Sequence, residues 1–132
     1  MFSSDSLFMQ SESISPSVLK SFLEKIPRTV AVLIIDGKGN LIEKIVSKSS
    51  EGEFASSELE YIAKMIGLRY KIVDFDKMMS GLEMTINIFR DKCVFVSQLS
   101  STSFIAVITK NVDIQKARQI FSQMKSDYND QH

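Results

Sequence analysis

The chain has one cysteine, Cys93, and one histidine, His132. A lone cysteine excludes an intrachain disulfide and fits a reducing compartment, so a cytoplasmic location is expected. His132 is the last residue, and a frayed terminus is a poor place for a general base. Cys93 therefore has no internal histidine to activate it. The zinc-ligand spacings, the calcium loop and the GxSxG elbow are all missing. Asp74 and Asp76 are spaced two apart in a helical stretch, which places them well apart around the helix. Catalysis, cofactor and metal are thus not expected. Lys plus Arg is 16 and Asp plus Glu is 16, a formal net charge of zero. Nucleic-acid binders usually carry a basic surplus, so nucleic acid is not an expected partner. No run approaches the roughly 18 apolar residues of a membrane span, so no direct membrane insertion is expected. MFSSDSLFMQSESIS at the amino terminus lacks the basic region and apolar core of a signal peptide.

What remains is enough for one core, since 44% of the 132 residues are hydrophobic. Residues 1–14 are Ser-rich and acidic without periodicity, and are read as a flexible tail in which Met9 offers an alternative start. One domain is expected over residues 15–126, with a polar tail over 127–132. Ser15-Pro16 has the form of a helix cap followed by a first-position proline. Val18, Leu19, Phe22 and Ile26 follow at helical spacing, and Pro27, one of only two prolines, ends the run. TVAVLIID reads as a strand covered on both faces, and LIEKIV as its half-alternating hairpin partner. The spacing predicts a long helix over about 55–79, capped by Ser56 or Ser57 and stopped at Ser80-Gly81. Three strands follow, EMTINIFR, CVFVSQL and SFIAVIT. A last helix over 112–125, capped by Asn111 or Asp113, closes the order. The fold class expected is an α/β (α+β) layered domain. A five-stranded antiparallel sheet carries the long helix on one face and the terminal helices on the other.

Asp36-Gly37-Lys38-Gly39-Asn40 lies between the first two strands. Phosphate loops need a helix amino terminus close behind and usually a Lys with Ser or Thr. Here Leu41 begins a strand, and neither GxxxxGK[ST] nor GxGxxG is present. The residues suit a tight turn that needs positive φ.

The long helix has two apolar arcs. Leu59, Ile62, Ala63, Ile66, Tyr70 and Val73 form the first, expected to face the sheet. Tyr61, Met65, Leu68, Ile72, Phe75 and Met79 form the second, nearly opposite, with Glu60, Lys64, Lys71 and Asp74 between them. One sheet buries only one arc, so the second marks an interaction surface, unless loops cover it or the helix breaks at Gly67. The strand after the helix reads as an edge that either stays bare or pairs with its copy in a second subunit. Phe89, Phe95 and Phe104 are expected to fill the interior.

The apolar strand and Asp-Gly turn over Thr29–Val46, the long helix, the meander MTINIFRDKCVFVSQLSSTSFIAVIT and the final helix together resemble the roadblock/LC7 family over about residues 16–126. Longin and profilin-like domains share much of this architecture. The resemblance implies a non-enzymatic homodimer that pairs through the central helix and the following strand, and that regulates or scaffolds a small Ras-like GTPase. Carried onto this chain, the dimer surface comprises Tyr61, Met65, Leu68, Ile72, Phe75, Met84, Ile86 and Ile88. Lys38, Asn40, Glu58 and Lys77 are candidate rim residues around the GTPase partner. The alternative is a monomeric longin-like or profilin-like adaptor or sensor that binds a peptide or small ligand.

Overall fold

The computed structural model describes residues 16–50, 52, 56–72, 84–100 and 103–131. The expected tail over 1–14, the helix end at Ser80-Gly81, and Val73, Asp74, Phe75, Asp76, Lys77, Met79 and His132 lie outside them. Helix α1 (Pro16–Lys25) leads into strand β1 (Thr29–Asp36) and strand β2 (Leu41–Val46), followed by a single 3-10 turn at Lys48–Ser50. Helix α2 (Ser56–Ile72) precedes strands β3 (Thr85–Ile88), β4 (Lys92–Ser100) and β5 (Ser103–Lys110), and helix α3 (Ile114–Gln131) ends the chain.

The five strands form one antiparallel sheet in the order β2-β1-β5-β4-β3. β1 pairs with β2 through Ala31–Val46 and with β5 through Val32–Val107, while β4 pairs with β5 through Val94–Ile108. β1 and β5 are buried along almost their whole length. Alternate side chains of a strand leave opposite faces, so each strand feeds two cores. Val32, Ile34, Phe95, Ile105 and Val107 pack on one face with Leu19, Phe22 and Ile26 of the α1 segment and Ala117 and Phe121 of α3. Ala31, Leu33, Ile35, Val94, Val96, Phe104, Ala106 and Ile108 pack on the other with Leu59, Ala63 and Ile66 of α2. The expected layering is the one observed.

The ends of the elements differ in places from the sequence reading. α3 runs to Gln131 rather than stopping near 125, so the helix takes in most of the segment read as a polar tail. The reason is a stripe that continues at helical spacing: Ala117 and Phe121 are buried, and Met124 and Tyr128 pack beside them. Asp113 settles the choice of cap, since its Oδ1 accepts from the Lys116 N–H at 3.2 Å and its carbonyl from the Ala117 N–H at 3.0 Å. Pro27 does end α1, and Thr29 Oγ1 donates to the Ile26 carbonyl at 2.8 Å just beyond it.

Phe121 ties the first core together. Its ring meets those of Phe22 at 5.9 Å and Phe95 at 6.3 Å, both edge to face. Phe121→Ala should therefore cost about 3–5 kcal/mol, read as a lowered denaturant midpoint with an unchanged m-value.

Candidate functional site

The β1–β2 loop is built on Asp36. Its Oδ1 accepts from the Lys38 N–H at 2.9 Å and the Asn40 N–H at 2.8 Å, and its Oδ2 from the Asn40 side-chain amide at 3.0 Å. Burial alone would push this carboxyl up. The two hydrogen bonds from Asn40, the Lys38 N–H and the Lys38 charge outweigh burial and hold it below its ordinary 3.8. A depressed carboxyl adds stability that is complete above the unfolded value and is lost as pH falls through the folded one. Gly39 takes φ +86, the left-handed turn conformation expected of this loop. With these amides spent inside the loop and a strand following, the segment is a turn.

The loop also seats the long helix. A Cβ at Gly67 would stand 2.4 Å from Gly39 Cα and 2.6 Å from Gly39 N. The two glycines let backbone meet backbone, and the helix runs through Gly67 to Ile72 without the break that a glycine there suggested. Lys64 Nζ then donates to Asn40 Oδ1 at 2.9 Å. Asn40, itself exposed, thereby uses both ends of its amide within the chain. Lys38 and Glu58 are exposed, as a rim requires.

Seated in this way, α2 turns Leu59, Ala63 and Ile66 inward and a different apolar stripe outward. Tyr61 is 65% exposed, Met65 51% and Leu68 55%. These are three of the eight residues placed on the pairing surface. The Ile72 side chain and all of Phe75 lie outside the described residues. The other three lie on or beside the edge strand β3. Ile86 sits opposite Phe95 and Ile88 opposite Cys93, both members of the α1–α3 core. Met84 and Ile86 are partly buried against that same core, so they face away from α2. Thr85 and Asn87, opposite Val96 and Val94 of the α2 core, are the β3 residues on the helix side. The alternation of β3 alone does not show which face α2 covers. β3 is an edge strand, paired with β4 alone in the sheet order.

Two aromatic residues fill as expected, with Phe95 and Phe104 buried, whereas Phe89 is exposed just past the end of β3. Cys93 is buried in the α1–α3 core, and burial pushes its thiol up, away from the reactive thiolate. Among the described residues, no group of three or more His, Cys, Asp or Glu side chains is placed to hold a metal ion. No described helix is long and apolar enough to cross a membrane.

The sequence matches no family model and no curated protein. Solved structures do match. An MglB in a tetrameric arrangement superposes with a TM-score of 0.69 at 11% identity, over 85% of this chain and 82% of that one. The gliding protein MglB of Thermus thermophilus gives 0.67 at 11% identity, over 86% and 88%. A roadblock/LC7 domain from Streptomyces avermitilis gives 0.64 at 12% identity, over 86% and 94%. The chain has the roadblock/LC7 fold. At these identities the likeness is one of architecture.

Gly67→Ala separates helix propensity from seating. Alanine favours a helix interior by about 1 kcal/mol over glycine, yet its Cβ has no room against Gly39. A lowered melting temperature is expected, and a raised one would show that the helix does not rest on the loop.

Proposed function

We propose that this protein is a non-catalytic regulatory scaffold that pairs with itself through α2 and the β3 edge, and as a pair binds a small Ras-like GTPase in the cytoplasm. The observation that carries this reading is the outward stripe of Tyr61, Met65 and Leu68 on a helix whose opposite side is already buried. Large, adaptable apolar residues of this kind suit an interface core. The adjoining strand β3 pairs with β4 alone in the sheet and offers its other side to a second copy. A two-fold pair covers both features at once, because each copy brings the same patch. On β3, Thr85 and Asn87 lie on the side that α2 covers, and Met84, Ile86 and Ile88 lie along the edge that would pair. The GTPase as partner is inferred from the roadblock/LC7 fold. Exposed Lys38 and Glu58 would tune encounter at its rim, and apolar anchors would carry affinity.

Self-association is tested by light scattering. The wild type should have the mass of a dimer at micromolar concentration. Met65→Glu with Leu68→Glu places charges in the apolar contact and should yield a folded monomer. A wild-type monomer at high micromolar concentration would overturn the pairing.

The partner is tested by capture from native extract with the tagged wild-type protein, followed by titration of recovered GTPases loaded with GDP or a GTP analogue. Binding is expected in at least one nucleotide state. No response at about 100 μM, where even weak complexes register, would remove the GTPase and leave the pairing claim standing.

A further inference from the structure

The sheet has two edges, β2 and β3, and they are built differently. β3 keeps an unbroken register with β4 over Thr85–Ile88, and its sequence, TINI, carries no charge. β2 does not keep its register with β1. Ile35 stands opposite Leu41 and Ile34 opposite Glu43, so Ile42 is the extra residue of a β-bulge, exposed beside the β1–β2 loop. A bulge bends and twists its strand, and so disturbs the row of backbone groups that a further strand would have to match.

Charge adds a second bar. Glu43 and Lys44 occupy the middle of β2. Glu43 stands opposite Ile34, on the α1–α3 face, and Lys44 opposite Leu33, on the α2 face. Ile45 shares the face of Glu43, and Leu41 and Val46 share that of Lys44. Residues directly opposite each other in an antiparallel pair lie on the same face of the sheet. If β2 met β2 of a second copy in that sense, Glu43 would stand opposite another Glu43 or an apolar residue. Lys44 would stand opposite another Lys44 or an apolar residue. No register brings a Glu opposite a Lys. Like charges in that relation destabilise the pair, and a charge set against an apolar residue loses water without gaining a partner. Against β3 of another copy, the two charges would meet only uncharged residues.

We propose that β2 is a guarded edge that closes self-association at two copies. The inference rests on the reading of β3 as the pairing edge. Two copies joined through β3 form one sheet whose outer edges are both β2, and an open edge there would let further copies add without closure. Glu43, Lys44 and the bulge at Ile42 refuse that addition. They thereby determine which edge of the sheet pairs.

Sedimentation velocity from dilute to high micromolar protein reads the guard. The wild type should stop at the dimer. Glu43→Thr with Lys44→Val gives β2 the uncharged make-up of β3, and deletion of Ile42 in the same chain removes the bulge while keeping the pairs on either side of it. This unguarded variant should grow past the dimer as concentration rises, to about twice its mass or more. Adding Met65→Glu and Leu68→Glu blocks the first contact, and the chain should then stop at two copies joined through β2. Circular dichroism melts establish that each variant is folded. If the unguarded variant does not fold, Glu43→Gln with Lys44→Gln takes its place and should also grow past the dimer. A wild type that grows past two copies, or a folded variant without the charges that stays a dimer, would overturn the guard. A wild-type monomer would instead remove the β3 reading. The guard then stands only if the variant without the charges dimerises, and falls if that variant is monomeric too.

Discussion

β1 and β5 are buried on both faces, and that constraint organises the molecule. Neither strand can face water on either side, so the sheet must be covered twice. On one face α1 and α3 share the work, with Phe22, Phe95 and Phe121 locked edge to face. On the other, α2 is the one described helix in the core. A helix packed on a sheet buries one side only, and α2 is apolar on two. The outward stripe thus follows from how the cover is divided, which is why it is the feature to which a functional reading attaches.

The angle at which that stripe is presented depends on the β1–β2 loop. Asp36 closes the loop with its carboxylate, Gly39 supplies the positive φ, and Gly67 receives the loop backbone where any side chain would collide. The Lys64–Asn40 bond pins the same place from the surface. A segment whose glycines first suggest phosphate chemistry is here a bearing surface for the helix. Coupling of this kind links a turn in one part of the sequence to the orientation of an exposed helix face in another.

Much of this architecture is legible in the sequence because hydrophobic period and turn residues act locally. TVAVLIID announces burial on both faces, and the two arcs of α2 follow from counting around a helix. Other features needed knowledge of which residues meet. Gly67 leaves a break in the helix open until Gly39 is seen against it. The side chains of Met84 and Ile86 alternate as an edge strand should, but alternation does not say which side α2 occupies. Phe89 has the composition of a core residue, and only its place past the end of β3 exposes it. α3 continued to Gln131 because Tyr128 extends a stripe that the polar residues around it disguise.

The central claim is that the outer side of α2 and the edge of β3 form one self-association surface. Amide hydrogen exchange, followed region by region as protein concentration is raised, tests it most directly. If the claim holds, amides of Thr85–Ile88 and of the helix around Tyr61, Met65 and Leu68 gain protection together with concentration, while those of β2, the opposite edge, do not. Exchange in β3 and α2 that stays constant from dilute to high micromolar protein would contradict it.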